Sequence, residues 1–289
     1  MFSGYFAAMV TPFFNDKLDL CSFEKYIHYL IDSGISGIVV CASTGEALSL
    51  STHERIDLVT TAARVVNGKI KVIAGVIDSM TENCKALMKS TEDLVDGFLC
   101  ICPFYIKPSQ EQIYSHFRIL SESTDQKLIL YNNPARAGSR ISFETLKMLS
   151  EQKNIIGIKD CGSDLSVFSR WRLQLHNDFI LFSGDDTTAC GALALGARGI
   201  ISVTANVAPK MCAQIYRTFK RGDVEGFRYA RDILAPLHSL MFDYPSPAPA
   251  KYMLSRLGLI KNELRSPLSP VDAGTKAKID DFMEEVDIT

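Results

Sequence analysis

The sequence lacks the features that mark several other classes of protein. It has no apolar run long enough to span a bilayer, and its apolar N-terminus has no basic start and is interrupted by Pro12. Basic and acidic residues nearly balance, 31 against 33, and no long run of one sign occurs. We therefore predict a protein with no signal peptide, no membrane partner and no nucleic-acid partner.

Metal and disulfide chemistry also have little support in the sequence. The eight cysteines include no C-x-x-C pair, and the five histidines are scattered without the spacing of metal ligands. Cys100 and Cys102 would share one face of a strand, where packing in the core is the expected role. These patterns predict reduced core thiols, a cytoplasmic location and no structural zinc site.

What the sequence does contain is a repeated alternation of strand and helix. The 289 residues are 47% apolar, which is enough to bury a large core. Apolar residues such as Phe23, Ile27 and Leu30 recur with helical periodicity between short, nearly continuous apolar runs. The runs have the character of strands covered on both faces, and there are eight of them: Tyr5–Thr11, Ser36–Val40, Ile70–Ala74, Gly97–Ile101, Lys127–Tyr131, Asn154–Ile158, Phe179–Phe182 and Gly199–Val203.

Eight strand–helix units favour closure into a (β/α)8 TIM barrel. An open doubly wound sheet is the alternative, but it would normally carry a G-x-G-x-x-G or P-loop motif, and neither occurs. From about Ala208 onward the strand pattern stops and four helical segments follow. We predict a barrel over residues 1–207 that carries the active site, and a C-terminal helical region over residues 208–289 that packs on it.

In a barrel, reactive groups lie at the carboxyl ends of the strands and in the loops that follow them. Lys159 ends the sixth strand directly after the apolar segment Ile155–Ile158, so its side chain should reach the barrel mouth. Burial there would lower the lysine pKa and supply the neutral amine that attack on a ketone requires. The alternative is a rim lysine that extends to solvent or pairs with Asp160.

Four more polar residues lie at neighbouring strand ends. Tyr131 ends the fifth strand and could transfer protons beside Lys159, or it could be a core tyrosine. Ser43 and Thr44 follow the second strand, and their hydroxyls could hold a carboxylate, relay protons or cap a helix. The guanidinium of Arg136 suits a substrate carboxylate, although a surface salt bridge is the ordinary alternative.

Four stretches at these strand ends carry a resemblance to a known family: Ala42–Glu46, Tyr131–Arg136, Gly157–Lys159 and Ser183–Asp186. In order and in placement they resemble the dihydrodipicolinate synthase branch of the pyruvate-dependent Schiff-base aldolases and N-acetylneuraminate lyases. The resemblance runs from Phe2 to about Leu268 with no large insertion. It implies the same barrel fold.

The resemblance also implies catalytic roles. Lys159 would form the Schiff base with pyruvate, and Tyr131 would donate and accept protons. Thr44 would complete a proton relay with Tyr105, which would reach in from a partner subunit. The implied assembly is a homotetramer built from tight dimers.

The remaining implied residues bind substrate. Ser43 and Thr44 would hold the pyruvate carboxylate, the Ile201 backbone and Gly184 would lie against the substrate, and Arg136 would receive the carboxylate of L-aspartate-4-semialdehyde. The implied product is 4-hydroxy-tetrahydrodipicolinate, the committed intermediate of diaminopimelate and lysine biosynthesis. No metal or organic cofactor is implied.

Two departures from the family pattern affect the expectations. Ser43 stands where the synthases usually have threonine and the lyases serine, which predicts altered kinetics rather than a changed reaction. Relatives that are inhibited by lysine have a glutamate where Asn83 stands and a tyrosine where Phe104 stands. Without that carboxylate a bound lysine ammonium would lack a partner, so we predict weak or absent inhibition by lysine.

Three other functions remain open at this stage. One is an enzyme of the same family with another second substrate, such as N-acetylneuraminate or a keto-deoxy sugar acid; sialic acid lyases typically have an apolar residue in place of Arg136. A phosphosugar enzyme could use Gly184 and Gly199 near a phosphate, but no lysine or arginine accompanies them at the barrel mouth. A non-catalytic scaffold would not need the set formed by Lys159, Tyr131 and Thr44.

Overall fold

A computed structural model describes residues 2–286 and forms a closed barrel of eight parallel strands. Each strand pairs with its neighbours in chain order, and the last strand pairs with the first. The predicted (β/α)8 fold is therefore confirmed. The barrel strands are β1 (Gly4–Ala8), β2 (Gly37–Val40), β3 (Lys71–Val76), β4 (Gly97–Ile101), β5 (Leu128–Asn132), β6 (Ile155–Asp160), β7 (Ile180–Ser183) and β8 (Gly199–Ser202), and a separate short hairpin pairs Phe13–Phe14 with Lys17–Leu18.

Helices follow the strands and surround the barrel. Several begin at side-chain caps that the sequence provides; Ser51 and Ser109, for example, each form a reciprocal capping box with the third helical residue. The helices are α1 (Leu20–Asp32), α2 (Thr52–Val66), α3 (Thr81–Thr91), α4 (Gln110–Glu122), α5 (Pro134–Ala137), α6 (Phe143–Ser150), α7 (Ser166–Gln174), α8 (Ala189–Ala194), α9 (Pro209–Arg221), α10 (Val224–Leu240), α11 (Ala248–Arg256) and α12 (Ala273–Glu285).

Alternation along the strands divides the apolar residues between two cores. One set fills the barrel interior, and the other packs between the strands and the helices. Cys100 and Cys102 both lie in the outer core and are fully buried, as predicted. Cys21 departs from the prediction of core thiols, because it is exposed near the start of α1. The interior set includes Phe6, Val39, Ile73, Leu99, Ile129, Phe182 and Ile201.

The C-terminal helices α9–α12 pack on the barrel and on one another. Helix α9 contacts β1, and α10 contacts both α9 and α12. The segment between α10 and α11 returns to the carboxyl end of the barrel, where Phe242 and Ser246 lie. Within residues 2–286 no helix is both long and apolar enough to span a bilayer.

Candidate active site

A cavity of about 380 Å³ opens at the carboxyl ends of the strands. Its position is the one that barrel enzymes use for their active sites. Six of the residues predicted from the sequence line it together, although they come from four different strand ends: Ser43, Thr44, Tyr131, Arg136, Lys159 and Gly184.

Lys159 lies at the floor of this cavity and is buried, with 5% of its surface exposed. It stands directly opposite Tyr131 in the register of β5 and β6, and its Nζ is 4.5 Å from the centre of the Tyr131 ring. Within residues 2–286 its ammonium has no hydrogen-bonded or ion-paired partner. A buried lysine that faces a cavity and has no such partner is a candidate functional residue.

The interpretation of Lys159 as a rim lysine paired with Asp160 is wrong. Successive residues of a strand point to opposite faces, so the Asp160 side chain lies on the outer side of the barrel. Its carboxylate accepts hydrogen bonds from Asn132 Nδ2 at 2.6 Å and from the Gly162 N–H at 2.9 Å.

The protonation of Lys159 also departs from the expectation. Burial lowers the pKa of its ammonium, but the electrostatic influence of the acidic groups of Tyr131, Cys161 and Asp186 outweighs burial, and the pKa of Lys159 is raised. The prediction of a lowered lysine pKa was therefore wrong. The resting side chain is an ammonium at neutral pH, and it needs a neighbouring proton acceptor before it can act as a nucleophile.

Tyr131 and Arg136 are linked by the turn that follows β5. Asn133 Nδ2 donates to the Tyr131 hydroxyl at 3.1 Å, and Asn133 Oδ1 accepts from the Arg136 N–H at 3.3 Å. Asn133 thereby caps α5, the short helix that carries Arg136. The Arg136 side chain is exposed and makes no ion pair within the described part of the chain, which does not support the surface salt bridge considered for it.

Gly184 leaves room for the Lys159 side chain. A Cβ atom at position 184 would lie 2.4 Å from Lys159 Cε and 2.3 Å from Cys161 Sγ, far inside contact distance. Any larger residue would therefore displace the lysine. Gly199, by contrast, begins β8 at the opposite end of the barrel, so these two glycines cannot form one phosphate site.

Ser43 and Thr44 lie in a 3-10 turn, Ser43–Gly45, that follows β2. Neither side chain caps a helix, and neither hydroxyl has a hydrogen-bond partner among residues 2–286. The capping interpretation is therefore wrong, and both hydroxyls are free to bind a ligand in the cavity. The turn is fixed instead by Thr11, whose hydroxyl donates to the Gly45 carbonyl at 2.7 Å.

Two predicted site residues do not line the cavity. Ile201 is fully buried in the barrel interior, so only its backbone is available for the suggested contact. Tyr105 is 91% exposed, has a positive φ of 72°, and lies outside the cavity of its own chain. Within residues 2–286 its hydroxyl has no hydrogen-bond partner.

Sequence reasoning missed several lining residues. Cys161 and Thr187 belong to strand-end loops, and the strand-end rule could have found them. Phe242 and Ser246 come from the connection between α10 and α11, where no strand pattern points to the barrel mouth. Burial raises the pKa of the Cys161 thiol, so this lining residue is a neutral thiol.

The acidic pair after β7, Asp185 and Asp186, accepts hydrogen bonds from backbone N–H groups. Asp186 Oδ2 accepts from the backbone N–H groups of Val203 and Thr204 at 2.8 and 3.0 Å. Asp185 Oδ1 accepts from the Thr187 N–H at 2.9 Å. No group of three potential metal ligands occurs in the described part of the chain.

The fold and the cavity define a (β/α)8 barrel of the enzyme type, with a buried lysine at the carboxyl end of β6. Comparison with known proteins gives the family. The model of the dihydrodipicolinate synthetase family matches residues 1–286, and the chain belongs to this family.

Curated relatives cover nearly the whole chain. The 4-hydroxy-tetrahydrodipicolinate synthase of Thermotoga neapolitana is 39% identical over 280 residues, which are 95% of each chain. The protein of the same name from Rhizobium meliloti is 37% identical over 290 residues, with 100% of this chain and 99% of its own covered.

Solved structures agree with the described fold. Dihydrodipicolinate synthase from Thermotoga maritima superposes with a TM-score of 0.96 at 36% identity, covering 99% of this chain and 98% of its own. The chloride-inhibited dihydrodipicolinate synthase from Acinetobacter baumannii, solved in complex with pyruvate, has a TM-score of 0.96 at 34% identity, with 99% of each chain covered.

Proposed function

We propose that the chain condenses pyruvate with L-aspartate-4-semialdehyde to give 4-hydroxy-tetrahydrodipicolinate, in the pathway to diaminopimelate and lysine. The observation that supports this most strongly is the unpaired Lys159 in a cavity with free hydroxyls on one side and a guanidinium on the other. The synthase names of the relatives, at 36–39% identity over nearly the full chain, support the same reaction.

In the proposed mechanism, Lys159 Nζ attacks the C2 ketone of pyruvate and water leaves through a carbinolamine. The lysine is charged at rest, so its proton must first pass to a neighbour, and the centre of the Tyr131 ring lies 4.5 Å from its Nζ. Asn133 holds the Tyr131 hydroxyl in place for this transfer. The resulting imine withdraws electrons, and loss of a methyl proton gives the enamine.

The hydroxyls of Ser43 and Thr44 hold the pyruvate carboxylate during these steps. The enamine carbon attacks the aldehyde of the second substrate, whose carboxylate binds the exposed guanidinium of Arg136. The amine of aspartate semialdehyde then displaces Lys159 as the ring closes, which releases the free enzyme. Every bond change in this sequence uses only the two substrates, water and protons.

Tyr105 completes the proposed relay from a partner subunit. Its large exposure and its absence from the lining of its own chain's cavity support a role in trans. We infer a dimer at minimum, and a homotetramer of two such dimers in the cytoplasm. Sedimentation of the purified protein tests this, since a fully active monomer would exclude a Tyr105 role in trans.

A coupled assay tests the function. Purified protein, pyruvate and aspartate semialdehyde are mixed with dihydrodipicolinate reductase, and the loss of NADPH is followed. Turnover that Lys159→Ala abolishes supports the proposal. Absence of turnover with an active coupling enzyme rejects it, and borohydride trapping with pyruvate alone then shows whether the imine chemistry serves another acceptor.

A further inference from the structure

Glu46 closes the turn that presents Ser43 and Thr44. Its N–H donates to the Ser43 carbonyl at 3.1 Å, and its backbone has a φ of +53°, a left-handed conformation that a residue other than glycine rarely adopts. The turn therefore ends in a strained residue, and the surroundings of Glu46 must hold it there.

The Glu46 side chain points away from the cavity and into the protein. Its carboxylate forms an ion pair with Lys251 of α11, and both side chains are completely buried. The Arg265 N–H donates to the second carboxylate oxygen at 3.0 Å. The strand-end turn is thereby fixed to two segments of the C-terminal region.

Lys251 is held from its other side as well. Its Nζ donates to the Glu263 carbonyl at 2.7 Å and lies 4.2 Å above the centre of the buried Phe13 ring. The Arg265 guanidinium packs against the same ring at 4.5 Å and donates to the Ser49 carbonyl at 2.9 Å. The Lys251 ammonium is therefore fixed by contacts other than the one with Glu46.

We propose that the buried Glu46–Lys251 ion pair sets the position of the Ser43 and Thr44 hydroxyls relative to Lys159. The inference rests on the proposed function, because its effect is read as binding and activation of pyruvate. Both residues are positioning residues, since neither lines the cavity that contains Lys159. An apolar pair could fill the same volume, but it would not fix the direction of the Glu46 side chain as an ion pair does.

Two variants separate positioning from stability. The double variant Glu46→Gln/Lys251→Met removes both charges at nearly constant volume, and Glu46→Asp keeps both charges but shortens the side chain that connects them. In each, we expect the turn to shift, kcat/KM for pyruvate to fall by about tenfold to a hundredfold, and KM for pyruvate to rise. KM for aspartate semialdehyde should stay near the wild-type value, because Arg136 lies on a different loop.

A matched control is available at the opposite end of the barrel. Lys71 and Asp96 form a half-buried ion pair at 2.5 Å, at the amino ends of β3 and β4. The variant Lys71→Met/Asp96→Asn should lower the melting temperature and leave both KM values unchanged. All variants are also assayed for imine formation with pyruvate alone, by borohydride trapping over time.

The outcomes are distinct. Wild-type protein that traps pyruvate but does not turn over aspartate semialdehyde contradicts the proposed function, and the trapping rates of the variants then still test the positioning role. Folded variants with wild-type trapping rates and wild-type KM for pyruvate overturn the positioning role. Failure of both Glu46 variants to fold also overturns it, because the pair would then serve folding alone.

Discussion

Lys159 and Lys251 are the two buried lysines among residues 2–286, and their surroundings differ in nearly every respect. Lys251 has a carboxylate, a backbone carbonyl and an aromatic ring around its ammonium. Within residues 2–286 the Lys159 ammonium has no hydrogen-bonded or ion-paired partner; it lies 4.5 Å from the centre of the Tyr131 ring and faces a cavity. The comparison suggests that an absence of partners, rather than burial, marks the reactive amine.

The pKa values of the two lysines also differ, and in the direction opposite to the one expected for a nucleophilic amine. Burial lowers the pKa of Lys251 to about 8, while the pKa of Lys159 is raised by the acidic groups around it. A search for the buried lysine with the lowest pKa would therefore select Lys251 rather than the proposed nucleophile, Lys159. What distinguishes Lys159 is its position at a strand end, next to groups that can accept and return its proton.

The largest expected difference between the two lysines is in turnover after each amine is removed. Lys159→Ala should lower kcat by about 10⁴-fold or more in the coupled assay, because the nucleophile itself is lost. Lys251→Met should leave measurable turnover, because the nucleophile remains. Equal losses in the two variants would contradict the assignment.

Stability should respond in the opposite order. Lys251→Met leaves the buried Glu46 carboxylate without its cation and should cost about 3–5 kcal/mol in the free energy of unfolding. Lys159→Met removes an ammonium that has no hydrogen-bonded or ion-paired partner and should change the free energy of unfolding by about 1 kcal/mol or less. Urea denaturation of both variants checks this, and similar losses would show that Lys159 has a structural partner.

The next prediction tests whether Arg136 binds the second substrate and not pyruvate, as proposed. Arg136→Ala should raise KM for aspartate semialdehyde by about tenfold to a hundredfold, the value of one charge-assisted contact. Trapping of pyruvate on Lys159 should be unaffected. An unchanged KM would favour an acceptor without a carboxylate at that position, as in the lyase alternative.

A smaller effect tests the space around Lys159. Gly184→Ala places a Cβ 2.4 Å from Lys159 Cε, well inside contact distance, and should lower kcat by about tenfold through misplacement of the amine. Gly274→Ala is the matched control, since its Cβ would lie 3.6 Å from Asp272 Oδ1, an ordinary contact far from the cavity. Lysine displacement is the wrong explanation if both variants have equal kcat.

The smallest expected effect concerns free lysine as a ligand. Asn83 is exposed and donates to Asp78 Oδ2 at 3.1 Å, and the Met80 N–H donates to Asp78 Oδ1 at 2.8 Å, so this carboxylate is already engaged. An ammonium bound there would lack the partner that Lys251 has. We expect little or no inhibition by lysine in the coupled assay, and half-maximal inhibition below millimolar lysine would refute this.

The sequence was sufficient to predict the barrel and most of the cavity. Strand ends are visible as breaks in apolar runs, and closure of the barrel brings Thr44, Tyr131 and Lys159 to one end. The partners of Lys251 were not predictable in this way, because Glu46 and Lys251 are far apart in the chain and no local pattern joins them. The raised pKa of Lys159 was missed for a similar reason, since it depends on charges from other strands.

The division at residue 207 stays a prediction, but the site draws on both parts of the chain. Phe242 and Ser246 line the cavity. Lys251 and Arg265 contact the carboxylate of Glu46, the residue that ends the turn containing Ser43 and Thr44. Function therefore depends on contacts that cross this boundary. Apolar periodicity predicts that helices such as α11 exist, but it does not predict which loop they contact.

The most direct test of the assignment is chemical trapping. The wild-type protein is incubated with pyruvate and borohydride, digested, and mapped by mass spectrometry. We expect one reduced pyruvate adduct, on the peptide that contains Lys159, and no adduct on Lys251 despite its lower pKa. An adduct on Lys251 or no adduct at all would contradict the claim that the unpaired lysine at the end of β6 is the nucleophile.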